Sequence, residues 1–325
     1  MFRKKLPGIA CDIDGVLIRG SHNPIVSSIP AMRMLRNPSS PYHIPFVCLS
    51  NSGGNLEKSK AEQLNHLLNL DSEISRLNAE HIILNFTPFR PIIEKYREKS
   101  VLIVGRGKIN EIMQDCGVQK FVNMNEFRSL ESKTVDKLPT FHKKFQSLKL
   151  PFEKWLDISG IFILNDPIEW ETNIQLISEL LLKNCDIPVY SSHNDALYSD
   201  EFPLSRFGLG GFNSVLISLL KKINNLDKKL VFSGKPLSLT FECAKERLKK
   251  IADGNKQEIS EFYMIGDNPN VDVMGGKNNG FKTILVRTGV FKDKGNDKEN
   301  PADYVVEDFN EAMRLISKLE KLELI

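Results

Sequence analysis

Two aspartates one residue apart, Asp12 and Asp14, close the apolar stretch Ile9-Ala10-Cys11 and lead into Gly15. Carboxylates at the end of a buried strand need a cation, a hydrogen-bond donor or open water, because a buried unpaired charge is very costly. Asp and Gly are also ordinary turn residues, so this segment alone reads equally as a strand running into a turn. Three other segments bear on the choice. Ser50-Asn51-Ser52-Gly53-Gly54 follows the apolar run 44–49, and its small residues let backbone N–H groups approach an anion. Lys235 follows Leu230-Val231-Phe232-Ser233-Gly234, and Gly266-Asp267-Asn268-Pro269-Asn270-Val271-Asp272 follows the apolar run 262–265.

In open parallel sheets, ligands bind beyond the carboxyl ends of the strands, so groups far apart in sequence can converge there. Asp12, Asp14 and Asp267 form a crowd of like charges that a hard cation such as Mg²⁺, with its oxygen ligands, makes tolerable. Lys235 and the Ser50 hydroxyl then suit the oxygens of a phosphoryl group, whose developing charge such donors stabilise.

The elements needed to hold these groups are legible as a pattern. Ala61, Leu64, Leu67 and Leu68 mark one helix, Ile174, Ile177, Leu180 and Leu181 another, then Val215, Leu216, Leu219 and Leu220, then Phe241, Ala244, Leu248 and Ile251, and finally Ala312, Leu315, Leu319 and Leu322. A further helix is expected over 79–97, interrupted at Pro88 and Pro91. Strands are expected at 101–104, 161–164, 188–190 and 283–286, besides those that precede the motifs. Alternation of strand and helix predicts parallel α/β architecture. Gly105-Arg106-Gly107 lacks the third glycine of a dinucleotide fingerprint and reads as a structural turn. Residues 117–155 are irregular and polar and suggest no element.

With 325 residues, two domains are expected, one inserted in the other. Hydrophobic residues at 41% and charged residues at 26% describe a globular chain. A net charge of +3, with scattered lysine pairs, gives no reason to propose a nucleic-acid partner. No apolar run approaches the ~20 residues that span a bilayer, so no membrane partner is expected. Five single cysteines without a Cys-x-x-Cys pair fit a reducing compartment. The first strand starts close to Met1, which leaves no room for a leader and predicts a cytoplasmic protein; a mitochondrial one is the alternative if a targeting segment precedes this sequence.

Taken in order, Asp12-Ile13-Asp14-Gly15, Ser50, Lys235 and Gly266-Asp267 with Asp272 resemble the four motifs of the haloacid dehalogenase (HAD) superfamily. The resemblance implies that Asp12 attacks phosphorus to form an aspartyl-phosphate and that Asp14 is the acid and base. It implies Mg²⁺ held by the Asp12 carboxylate, the Asp14 carbonyl and Asp267, with Asp272 acting through water or orienting the ligands. Ser50 and Lys235 would contact the phosphoryl oxygens. An aspartate two residues after the nucleophile favours phosphatase over dehalogenase chemistry. The long insertion between Ser50 and Lys235 resembles the class IIA branch, which implies a Rossmann-like core carrying an inserted α/β cap of C2 type.

Within that branch the chain is most similar to the cat eye syndrome critical region protein 5 group. The likeness rests on residues 50–54, Arg206-Phe207-Gly208, residues 265–269 and Val286-Arg287-Thr288-Gly289-Val290-Phe291. One departure is His193-Asn194-Asp195, where the family has Asn-Pro-Asp. His193 is a substrate contact, a group titrating near neutral pH, or, more simply, a satisfied loop histidine.

These readings predict a core of residues 1–98 and 229–325 and a cap of 99–228. Expected catalytic residues are Asp12, Asp14, Ser50 and Lys235; expected metal ligands are Asp12, Asp14, Asp267 and Asp272. Expected substrate contacts are Gly15, Asn51, Asp195 and Arg206, although Arg206, like Asp166, also fits a structural role. The expected activity is Mg²⁺-dependent hydrolysis of a small phosphorylated metabolite. The alternatives are a catalytically weak binding or scaffolding protein and a phosphotransferase that uses the same aspartyl-phosphate. Cap surfaces could pair two chains into a homodimer.

Overall fold

The computed structural model describes residues 4–20, 22–37, 39–70, 72, 75–124, 158–198 and 206–323. The chain divides into two compact units, Met1–Ser52 with Glu57–Pro88 and Gly234–Ile325, and Gly53–Leu56 with Phe89–Ser233. Most of the stretch 117–155 that carries no sequence pattern lies outside the described residues; within its described part Phe121–Asn123 forms a strand.

The first unit is built on six strands in the order Tyr304–Val306, Lys282–Val286, Gln257–Gly266, Lys4–Cys11, Phe46–Leu49 and Ile82–Ile83. All neighbours are parallel. Parallel strands covered on both faces become near-continuous apolar runs, and Ile9, Ala10, Cys11, Phe46, Val47, Cys48 and Leu49 are all fully buried. Side chains alternate between faces. Ala10, Val47 and Met264 pack against Phe241, Ala244 and Leu248 of the helix Ser238–Gly254. Truncating Phe241 there would cost about 3–5 kcal/mol. Near the carboxyl end of the chain, the helix Phe309–Leu319 buries Phe309, Ala312, Met313 and Ile316 and is capped by Asp308, which accepts from the Glu311 N–H.

Strand order decides where a ligand can sit. From Lys4–Cys11 the chain steps outward to Phe46–Leu49 and Ile82–Ile83, then restarts on the other side with Gln257–Gly266. The reversal lies at the carboxyl end of Lys4–Cys11, the point at which open α/β sheets leave a crevice. Register aligns Cys11 with both Cys48 and Ile265, so Asp12, Ser50 and Asp267 leave the sheet along one edge.

The second unit has its own parallel sheet, ordered Val231–Phe232, Val189–Ser191, Ile158–Ile163, Ser100–Val104 and Phe121–Asn123. Helices Trp170–Lys183 and Leu209–Asn224 close its core through Ile177, Leu181, Phe212 and Leu216.

Several expectations differ from this arrangement. Instead of one helix over 79–97 there are short helical turns and the buried strand Ile82–Ile83, because two β-branched residues complete the sheet edge beside Cys48 and Leu49. The strand before Lys235 pairs with Val189–Ser191 and so belongs to the second unit, not to the sheet that carries Asp12. The compact units change over at Pro88/Phe89 and Ser233/Gly234, within about ten residues of the domain boundaries 98/99 and 228/229 expected from sequence. Aromatic packing ties residues 89–96 to the second unit: Phe89 meets Tyr190 and Tyr96 meets Phe162 edge-on at 5.6 and 5.2 Å.

Candidate active site

Beyond Cys11 the chain stops pairing and turns. Asp12 N–H still donates to the Ile265 carbonyl at 2.8 Å, which fixes the first carboxylate against the neighbouring strand. Gly15 adopts φ +79°, a left-handed conformation that glycine takes without strain. Its carbonyl accepts from Thr288 Oγ1 at 2.5 Å, and a Cβ at Gly15 would collide with the Asp267 carboxylate. Gly15, expected as a substrate contact, is a place where backbone and Asp267 approach closely.

Lys235 lies among the acids. Its Nζ is 2.9 Å from Asp12 Oδ2 and 2.6 Å from Asp272 Oδ1. Burial works against its charge, but the Asp12 and Asp272 carboxylates outweigh that and hold its pKa above the usual lysine value. Asp272 is not a helix cap; Asn268 caps that wide helical turn, Pro269–Val273, by accepting from the Asn270 N–H. Asp272 Oδ2 instead folds back to accept from Asp267 N–H at 3.2 Å and Asn268 N–H at 3.0 Å. Asp267 Oδ2 accepts from the Val290 N–H at 2.6 Å.

Carboxylate oxygens of Asp12, Asp267 and Asp272 all lie within 4.8 Å of one another. Against one ammonium, three acids this close, two of them buried, cannot all ionise cheaply. Burial raises the Asp12 pKa well above the ordinary value, opposed by Lys235 and reinforced by Asp272 and Asp267. Burial and then the Asp272 charge push Asp267 up to about 7, against the Val290 N–H and Lys235. A donor set of hard oxygens under such repulsion suits a divalent cation.

Asp14 stands outside this cluster and half-buried. Burial raises its pKa, while the charges of Lys60 and Lys235 pull it down. Ser50 continues the strand Phe46–Leu49, its N–H donating to the Ile83 carbonyl at 2.9 Å; its Oγ lies 2.8 Å from Ser52 Oγ and accepts from the Ser52 N–H. Asn51 holds the main chain of Lys235, accepting from its N–H at 2.6 Å and donating to its carbonyl at 2.9 Å.

Asp195 and Arg206 belong to the second unit. Asp195 is half-buried and its carbonyl accepts from the Gly210 N–H; Arg206 is exposed on the strand Arg206–Phe207. His193 is buried. Burial lowers its pKa, opposed by Asp195 and Asp166, which fits a neutral, satisfied loop histidine.

Sequence reasoning did not single out Lys60, and it quoted Thr288, Gly289 and Val290 for the family likeness alone, without a role at the site. Lys60 shares the buried face of helix Glu57–Leu67 with Ala61 and Leu64, and a lysine on an apolar stripe was its signal. Gly289 is needed because a Cβ there would collide with Asp267. The Val290 contact is a backbone N–H and has no side-chain signature.

Comparison with known proteins bears on the family and the fold. A family model described as haloacid dehalogenase-like hydrolase matches residues 9–119, and a second, HAD-hydrolase-like, matches 232–312, together more than half of the sequence. A mitochondrial hydrolase of Saccharomyces cerevisiae is 28% identical over 340 residues, covering 94% of this chain and 93% of its own. A cardiolipin synthase (CMP-forming)/mitochondrial hydrolase fusion protein of Schizosaccharomyces pombe is 30% identical over 304 residues, 86% of this chain and 48% of that one. Among solved structures, a p-nitrophenyl phosphatase from Archaeoglobus fulgidus shares the fold with a TM-score of 0.68 at 18% identity, over 96% of this chain and 99% of that one. The chain belongs to the haloacid dehalogenase-like hydrolases.

Proposed function

We propose that this chain is a Mg²⁺-dependent phosphatase that hydrolyses a small phosphorylated metabolite through an aspartyl-phosphate on Asp12. The observation that carries the reading is Lys235, whose ammonium bridges Asp12 and Asp272 beside Asp267 at the switch point of a parallel sheet. The A. fulgidus p-nitrophenyl phosphatase shares this fold, which supports phosphate-ester chemistry.

Asp12 carboxylate oxygen forms a bond to phosphorus as the ester P–O bond breaks, and Asp14 gives its proton to the departing oxygen. Its upward-shifted pKa favours the protonated form that this step requires. Asp14 then takes a proton from water, the water oxygen attacks phosphorus, and phosphate leaves with Asp12 regenerated. Lys235 neutralises charge on Asp12 and on the phosphoryl oxygens throughout, and Ser50 donates to those oxygens. Asp12, Asp267 and the Asp14 carbonyl would hold Mg²⁺, with Asp272 acting through water or orienting those ligands, as its bond from the Asp267 N–H favours. Bound there, the cation supplies charge neutralisation for both nucleophile and phosphoryl group.

Asp195 and Arg206, in the second unit, carry the choice of substrate in this reading. Relatives that are mitochondrial hydrolases in two yeasts favour the mitochondrial alternative over a cytoplasmic location. Organelle fractionation that leaves the chain wholly in the cytosol would overturn that assignment. For the activity, the purified chain is screened against p-nitrophenyl phosphate and a panel of phosphorylated metabolites. Phosphate release that needs Mg²⁺ and stops on chelation is expected; silence across the panel would overturn the reading.

A further inference from the structure

Asn51 does not simply follow the Ser50 hydroxyl. Its Oδ1 accepts from the Lys235 N–H at 2.6 Å and its Nδ2 donates to the Lys235 carbonyl at 2.9 Å, so one carboxamide grips both polar groups of a residue 184 positions away. Asparagine is suited to this by carrying an acceptor and a donor side by side. Aspartate lacks the donor, and serine offers a single atom for both tasks.

The residue so held has little other support from regular structure. Lys235 lies between Gly234, at φ +86°, and Pro236, which has no N–H. The strand before it pairs within the second unit's sheet, and the helix after it starts only at Ser238. The buried ammonium must nevertheless meet Asp12 Oδ2 and Asp272 Oδ1 at 2.9 and 2.6 Å. Asn51 is one residue beyond Ser50, whose N–H is bonded to the sheet at the Ile83 carbonyl. A continuous path therefore runs from the sheet edge through the Asn51 amide to the Lys235 main chain and on to the ammonium.

We propose that Asn51 is a positioning residue that fixes the Lys235 backbone to the strand end carrying Ser50, setting two phosphoryl-contacting groups in one frame. The inference rests on the phosphatase reading for what Lys235 does, and not for the clamp itself. It assigns Asn51 a role through Lys235 in place of the direct substrate contact expected from sequence.

A double-mutant cycle separates these roles, because residues that act through one another are non-additive. Asn51→Ala should lower kcat on p-nitrophenyl phosphate about 10- to 100-fold, the cost of a misplaced catalytic group, with KM within about threefold. In the Lys235→Ala background the same change should cost less than about twofold. Equal losses in both backgrounds, or a raised KM at unchanged kcat, would overturn the proposal. Should Asn51→Ala not fold, Asn51→Ser, which keeps one hydrogen-bonding atom, carries the same cycle. The cycle is also read without turnover, as the affinity for inorganic phosphate in the presence of Mg²⁺ by calorimetry. Weakening by about tenfold with Lys235 present and none without it supports the clamp even if no ester is hydrolysed; equal weakening in both contradicts it. A silent hydrolysis assay thus strikes the phosphatase reading alone.

Discussion

Lys235 Nζ lies 2.6 Å from Asp272 Oδ1, with each side chain only 1% exposed. Such a pair contributes modestly as a pair, but removing one partner strands the other charge in a low-dielectric site. Lys235→Met should therefore destabilise the Mg²⁺-free protein by about 3–5 kcal/mol, measured by urea denaturation. Added Mg²⁺ should restore part of the loss. Wild-type stability in the variant would show that the ammonium is not what holds Asp12 and Asp272 together.

Cation binding should be linked to protons. With no cation, Asp267 is pushed up to about 7, chiefly by burial and next by Asp272. Below that pH the group is protonated and a cation must displace the proton; above it the carboxylate is free to ligate. Mg²⁺ affinity should thus rise with pH, by up to about tenfold per unit for one released proton, and level off above about pH 7. Calorimetry in buffers of different ionisation enthalpy measures both trends. Affinity independent of pH from about 6 to 8 would contradict the linkage.

Gly289 offers a steric test of the same carboxylate. Its φ is not in the left-handed region, so alanine is tolerated by the backbone, but the new Cβ would collide with Asp267 Oδ2. Displacing that oxygen breaks its bond from the Val290 N–H. The concentration of Mg²⁺ giving half-maximal activity should rise by about tenfold or more, on the scale of losses from disturbing groups that orient metal ligands. Circular dichroism should show the fold retained. An unchanged Mg²⁺ requirement would remove Asp267 from the cation site.

How much of this was legible in the sequence follows from what each contact needs. Asp12, Asp267 and the hydroxyl of Ser50 announce themselves because each follows a buried apolar run, and strand ends in a parallel sheet share an edge. The helix from Ser238 to Gly254 is equally plain, since Phe241, Ala244 and Leu248 recur at helical spacing. Ile82–Ile83 and Tyr304–Val306 are too short to display a period, and their pairing is fixed by neighbours far away in the chain.

Val231–Phe232 has the composition of a strand, but composition does not say which sheet it joins. The Asn51 carboxamide meets the Lys235 main chain across 184 residues, and the Val290 N–H meets the Asp267 carboxylate across 23, pairings that residue types do not encode. Lys60 was visible as a lysine on an apolar helix face, yet only the fold brings its charge to Asp14.

As the proposed nucleophile, Asp12 supplies the carboxylate oxygen that bonds to phosphorus. Release of p-nitrophenol from p-nitrophenyl phosphate, with saturating Mg²⁺, is compared between wild type and Asp12→Asn, with thermal melts of both to confirm folding. A fall of roughly a thousandfold or more in kcat at nearly unchanged melting temperature is expected. Turnover within a few-fold of wild type by a folded Asp12→Asn protein would contradict it.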